Sequence, residues 1–216
     1  MNYSHHNPPP QNTGSTPGDG EQLALFPLHT VLFPGCALEL QIFEQRYLQL
    51  VRQCLRENTG FVVVLIESGK EVGDTPKIFR LGTKVFISDW RTLENGLLGI
   101  TVTATQRVRI GSPRARDDGL LTANVRPLPD ASPDAQLLQE YSELRDTLEA
   151  LLAHPLHQRL AVDLDNSVAV FNALAWLLPI HAQAKQHLLE IHDQRELCRQ
   201  LRAAIVQLQN HGAALV

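Results

Sequence analysis

The hydrophobic period of this chain changes for good across residues 127–134, Pro-Leu-Pro-Asp-Ala-Ser-Pro-Asp. Upstream, apolar and polar residues mostly alternate; downstream, apolar residues recur every three or four positions. Strands line up side chains by twos and helices by 3.6, so a strand-rich part must precede a helical one.

In the first part Leu38, Leu40 and Ile42 alternate with Ala37, Glu39 and Gln41, the pattern of a half-buried strand. The continuous β-branched run Phe-Val-Val-Val-Leu-Ile-Glu at 61–67 suits a strand buried on both faces. Further strands are expected over about Phe79–Trp90, from Leu97 to Ile110 and from Leu120 to Leu128. Asn95-Gly96 and Asp118-Gly119 supply the turns. One helix interrupts them at 44–58, with Tyr47, Val51, Cys54 and Leu55 on one face and Asn58-Thr59-Gly60 as its stop. Six or so short strands with tight turns predict a small closed barrel, because closure removes exposed sheet edges.

The second part reads as a helical bundle. Ser132 is the expected N-cap, with Pro133 at the first helical position and Asp134 in the first turn. Leu137, Tyr141, Leu144, Leu148 and Leu151 then step by four and three. Further helices are expected over Asn166–Leu178, Ala182–Ile191 and from Asp193. In the last, Glu196 completes a capping-box pattern and Leu197, Leu201, Ile205 and Leu208 face inward. The helix Val-Ala-Val-Phe-Asn-Ala-Leu-Ala-Trp-Leu-Leu is apolar all round, so it is either deeply buried or part of a subunit contact. The expected organisation is α+β: a disordered tail over 1–21, a barrel over 22–130 and a helical bundle over 131–212.

Charge argues against a general attraction to nucleic acid or anionic membranes: the net charge is −4, all of it after residue 133. Cys36, Cys54 and Cys198 are far apart in an apolar pattern, which predicts buried thiols of a cytoplasmic protein and neither a disulfide nor a metal site. The N-terminal residues lack a signal-peptide pattern, and no apolar stretch is long enough to span a membrane.

The search for catalytic motifs comes up empty. Ser68-Gly69-Lys70-Glu71 lacks the preceding glycine and the hydroxyl residue of a phosphate-binding loop, and there is no Gly-x-Ser-x-Gly. His154 and His157 flank Pro155 without an acidic companion, and His181, His187 and His192 spread around their helix. Neither a metal nor a cofactor is expected. Arg107 and Arg109 share a strand face, with Arg114, Arg116 and Arg126 nearby, but Asp117 and Asp118 dilute any phosphate-binding patch. Glu44 and Arg46, two apart on a regular helix, are not expected to pair. Glu44 is assigned to the first turn, Tyr47 to the apolar face, and the cluster to structural fastening.

Several of these segments resemble one family. Leu-Ala-Leu-Phe-Pro-Leu at 23–28, Leu-Phe-Pro-Gly at 32–35, Phe-Glu-Gln-Arg-Tyr at 43–47 and Gly-Lys-Glu-Val-Gly at 69–73 are similar to motifs of the N-terminal domain of Lon proteases. Leu-Leu-Pro at 177–179 and the Lys185–Glu190 stretch resemble its helical part. The likeness covers about residues 22–210. Gln45 departs from the family's proline, and the hairpin over 94–110 follows the family only loosely.

The resemblance implies a PUA-like barrel followed by a helical subdomain. It implies that Phe26, Pro27, Leu28, Phe33, Pro34, Gly35, Phe43, Glu44, Arg46 and Tyr47 are structural motif residues. A full Lon protease continues into ATPase and Ser–Lys protease modules, which these 216 residues lack, so a stand-alone, non-catalytic domain that binds a polypeptide or protein partner is expected. Trp90 and Trp176 are the candidate partner-binding side chains for a groove between barrel and bundle, against the competing reading that both are core. The alternative function is RNA binding, since PUA-like barrels elsewhere bind RNA.

Overall fold

The computed structural model describes residues 20–71, 76–154 and 160–213. The expectations for tail residues 1–19, for the end of the Gly-Lys-Glu-Val-Gly loop and for His157 lie outside them. The chain divides into two units, Met1–Pro129 and Asp130–Val216.

The first unit is a β-barrel. Its strands are β1 (Glu21–Leu28), β2 (Ala37–Ile42), β3 (Phe61–Ser68), β4 (Lys77–Thr92), β5 (Leu98–Ile110), β6 (Arg114–Ala115) and β7 (Leu121–Pro127), with helix α1 (Gln45–Glu57) between β2 and β3. Neighbours run β2-β5-β4-β3-β1-β7-β6, and β5 also pairs with β7. That extra pairing closes β5, β4, β3, β1 and β7 into a ring. Closure works because β5 is long: one flank takes β2 along Leu98–Thr103 and β7 along Val108–Ile110. β1 is divided the same way, antiparallel to β7 over Glu21–Ala24 and parallel to β3 over Leu25–Leu28. Pro27 lies in the half beyond β7, where one side of the strand needs no amide donor.

Two bulges bend the long β4–β5 hairpin. Thr105 is the extra residue opposite Lys84–Val85, and Ser88 the extra one opposite Thr101–Val102. Each uses its hydroxyl to bond the facing strand, Thr105 Oγ1 to the Lys84 carbonyl (3.1 Å) and Ser88 Oγ to the Thr101 carbonyl (3.2 Å). Leu23, Leu25, Val62, Val64, Ile78, Val108, Ile110, Leu121, Ala123 and Val125 form the inner core. The run at 61–66 is buried throughout, as its unbroken apolar pattern predicts.

Helix α1 ends where expected, at Asn58 in the left-handed conformation. Its buried face is Tyr47, Leu50, Val51 and Cys54. Leu55 is a correction: it is 45% exposed, and Leu50, one turn before Cys54, takes the inward position. The tail boundary also moves, because Glu21 already pairs with Val125. β6, only two residues long, gives no periodic signal.

The second unit contains α2 (Ala135–Glu140), α3 (Ser142–Leu152), α4 (Ser167–Leu177), α5 (Ala182–Glu190) and α6 (Gln194–Ala213). α4 packs against each of the other four, which accounts for its lack of a polar face. Ser132 is not the cap: Asp134 is, with its Oδ1 accepting from the Leu137 amide at 2.9 Å. The expected run through Tyr141 is broken there, where φ is −115° and ψ is 42°, so two helices replace one. Asn166 caps α4 by accepting from the amides of Val168 and Ala169. Asp193 caps α6 from the Glu196 amide, while the Glu196 carboxylate turns to Gln200 and Arg199. Leu197 and Leu201 are buried as expected, but Ile205 and Leu208 are half-exposed.

Candidate functional site

The residues from Phe26 to Tyr47 divide into a packed set and an exposed one. Phe26 lies flat on Tyr47, ring centres 4.0 Å apart and planes 23° apart, and touches Phe61 at 5.8 Å. Pro27, Leu28 and Phe33 are buried. Pro34-Gly35 makes the turn that leads into β2: the Cys36 amide donates to the Phe33 carbonyl, and Gly35 has φ +85°. Phe43 is the exception, 55% exposed at the end of β2.

Glu44 and Arg46 do pair, at 2.8 Å, contrary to expectation. The reason is that Glu44 is not helical. It is the N-cap, with extended φ −81° and ψ 138°, so its side chain is free to turn along the helix start. Arg46 also donates from Nη1 to the Gly119 carbonyl (3.0 Å) and from Nη2 to the Glu71 carbonyl (3.5 Å), and its guanidinium lies 4.8 Å from the centre of the Tyr47 ring. The Glu71 carboxylate in turn accepts from the His29 amide at 2.6 Å. One planar guanidinium thus ties α1 to two loops from other parts of the barrel, a task suited to its fixed fork of donors. Among the described residues, the side chains gathered here are engaged with one another: Glu44 with Arg46, and Glu71 with the His29 amide.

Thiol chemistry has no better footing. Burial pushes Cys54 up to about 11 and Cys198 up to about 12, so neither is a thiolate near neutral pH. Cys36 is buried as well. Tyr47 is pushed up to about 12, again mainly by burial, with Arg46 opposing. Among the described residues no group of His, Cys, Asp and Glu side chains could hold a metal ion.

The two tryptophans part company. Trp176 is half-buried on α4; Lys185 lies over its ring, 5.2 Å from the centre, and donates to its carbonyl at the end of the helix. Trp90 is not core: it is 48% exposed near the end of β4. It borders a depression of about 230 Å³ that crosses β2, β5 and β4, lined by Glu39, Gln41, Asp89, Arg91, Leu93 and Gly99, among others. Register sets Gln41, Gly99 and Arg91 in one row, and the row dips because Gly99 has no side chain. Leu93 folds over it, with Cδ2 2.7 Å from where a Gly99 Cβ would stand. Reading the sequence singled out Trp90 but missed these companions. Their signal was the charged pair flanking the tryptophan and a lone glycine inside a strand.

Of the arginines, Arg109 and Arg126 are exposed and directly opposite each other across β5–β7. Arg116 is occupied by Asp118 at 3.3 Å.

Residues 22–207 match the family profile described as the ATP-dependent protease La (LON) substrate-binding domain. The chain belongs to the Lon substrate-binding domain family. The Lon N-terminal domain protein of Xanthomonas campestris is 35% identical, with a TM-score of 0.70 over 85% of this chain and 98% of that one. The N-terminal domain of Mycobacterium avium complex Lon protease, at 15% identity and a TM-score of 0.64 over 85% of this chain and 97% of that one, shares the fold. Lon protease 1 of Bdellovibrio bacteriovorus is 26% identical over 172 residues, 76% of this chain but 21% of that protein. This chain thus matches only about a fifth of that relative's length.

The Lon-family match takes in both units and every motif residue named above. It concerns a substrate-binding domain, not a catalytic one. Among the described residues no helix is long and apolar enough to cross a membrane.

Proposed function

We propose that this Lon-family domain is a non-catalytic module that binds polypeptide segments, unfolded ones among them, in the cytoplasm. The observation that carries the reading is Trp90: a large aromatic side chain, 48% exposed near the end of β4, in register with Leu40 and Ile100 of the neighbouring strands. A soluble domain gains nothing in stability by leaving such a side chain in water, whereas a binding surface does use one. In the same reading Phe26, Pro27, Leu28, Phe33, Pro34, Gly35, Glu44, Arg46 and Tyr47 hold the surface's scaffold, and exposed Phe43 is a second contact. The buried thiols suit a reducing compartment. Trp176, engaged by Lys185, has a packing role.

The test is a side-by-side titration against a labelled unfolded polypeptide and a labelled single-stranded RNA at low and moderate salt. Polypeptide binding that survives salt and weakens on Trp90→Ala supports the reading; unchanged binding by Trp90→Ala overturns the role of this surface. RNA binding is the second reading, favoured by the Arg109–Arg126 juxtaposition. It requires binding that falls steeply with salt and is lost on replacing that pair.

A further inference from the structure

We infer that the outer edge of β2 takes up an extended polypeptide segment as an added strand, one whose apolar residues recur at every second position. This rests on the polypeptide-binding reading above and adds the mode of binding and the pattern it selects. β2 stands outside the closed ring, and β5 is its one neighbour among the described strands. The Ala104 amide donates to the Cys36 carbonyl, and the register runs on unshifted from Ala37–Thr103 to Ile42–Leu98. Alternation along the ladder therefore turns the backbone groups of Leu38, Leu40 and Ile42 toward β5 and those of Ala37 and Gln41 outward. Both of these residues are exposed, and among the described residues nothing bonds their backbone on the outer side.

Open strand edges are normally guarded, and two others here are. Beyond Val85, β4 has no strand on its outer flank, but the Ser88 bulge breaks its line and Asp89 and Arg91 charge it. β6 is only two residues long. β2 has no proline, lysine or bulge, and Glu39, its one charge, is balanced by Arg91 at 3.0 Å. Its outward N–H and C=O groups are matched by another extended backbone, not by a phosphate chain. Side chains supply the pattern. Leu40, Ile100 and Trp90 form one cross-strand row, and Leu38, Val102 and Ile87 the next on the same face. Both rows reach the β2 edge at half-buried leucines, so an added strand extends them with apolar residues two apart. The opposite face, with Ala37, Glu39 and Gln41, takes polar ones. The edge is a strip about 20 Å long and about 4.8 Å wide. That is far below the roughly 800 Å² per partner of a stable dimer, and it suits a single segment rather than a second copy.

The experiment follows amide exchange of the whole chain by NMR while adding a seven-residue acetylated peptide of alternating serine and valine, or an all-serine control. The serine–valine peptide is expected to slow exchange at Ala37 and Gln41 and to leave Leu38 and Leu40, already bonded to β5, as they are. The all-serine peptide should bind about three- to tenfold more weakly. Gln41→Pro removes an outward donor that β5 does not use and should weaken binding about tenfold, whereas Gln41→Ala keeps the amide and should not. N-methylation of alternate peptide residues tests the same ladder without any variant: one phase should abolish binding and the other spare it. Equal affinity of the two peptides overturns the alternating pattern. Binding that leaves the Ala37 and Gln41 amides unmoved, or that both methylation phases affect alike, overturns the edge while polypeptide binding stands. So does an unfolded polypeptide that binds when the serine–valine peptide does not. Failure of that peptide and of an unfolded polypeptide together overturns the parent reading too. A concentration-dependent dimer that Gln41→Pro abolishes would put a second copy on this edge, and would also overturn the inference.

Discussion

Arg46 Nη1 donates to the carbonyl of Gly119 across 3.0 Å, joining positions 73 residues apart. The guanidinium is largely shielded from water, and it also serves Glu44 and Glu71. Its removal should leave a carboxylate and two carbonyls short of donors at once. Arg46→Ala is expected to cost about 2–4 kcal/mol, because each bond to a charged donor counts for more than a neutral one. Arg46→Lys, which keeps the charge and loses the fork, should cost about half as much. Urea unfolding checks both; equal midpoints for wild type and Arg46→Ala would refute the fastening role.

Gly96 and Gly119 close two turns of the same design. In each the glycine amide donates three residues back, to Leu93 or Arg116, and an Asn95 or Asp118 side chain accepts from the amide two residues on. Their φ values are +79° and +80°. A Cβ at Gly96 would meet no atom within 4 Å, and at Gly119 only Arg46 Nη1 at 3.5 Å, an ordinary contact. The cost of alanine is therefore backbone strain alone, about 1–2 kcal/mol at either site. Gly→Asn should cost less at both, and thermal melts of the four variants measure it.

Asp134 and Ser132 make a matched pair of tests for the start of α2. Asp134→Ala removes a cap and should cost about 1 kcal/mol. Ser132→Ala should change stability little, since Ser132 takes part through its carbonyl, as acceptor for the Gln194 side chain. Chemical denaturation monitored by helical circular dichroism distinguishes them.

High pH should weaken both units. Cys54 is raised from 9.0 to about 11, Cys198 from 9.0 to about 12 and Tyr47 from 10.0 to about 12, in each case mainly by burial. The unfolded chain gives up these protons first, so their contribution is whole below about pH 9 and declines as pH rises toward 12. Unfolding midpoints measured from pH 7 to 11 should fall, less steeply in Cys198→Ala. At pH 8 a thiol reagent should label Cys54 and Cys198 slowly in native protein and rapidly in denaturant.

The architecture was legible in the sequence wherever one period ran long enough to exclude the other. The run at 61–66, the turns at Asn95-Gly96 and Asp118-Gly119, and the helix ends at Asn58 and Pro179 stand where residue chemistry places them. Errors arose where neighbouring backbone chose between two adequate residues. Leu50 and Leu55 both fit an apolar stripe, and burial took Leu50. Ser132 and Asp134 are both good caps, and the chain entered the helix at the second. The Glu44–Arg46 pair was hidden because spacing rules assume a helix, and Glu44 stands just outside one. The depression beside Trp90 was the least legible, since three strands distant in sequence build it, and only their register reveals that Gly99 falls between Gln41 and Arg91.

The antiparallel register of β1 on β7 sets Glu21 opposite Val125. The first and last long strands of the barrel therefore run side by side, and its two chain ends leave from neighbouring positions on one rim. A unit with that property can be hung on a tether at one point, or spliced into a surface loop of another protein, without stretching its host. Joining its ends by a short linker and reopening the chain at Asn95-Gly96 should preserve the barrel, so its portability is written into the hydrogen bonds of its opening strand.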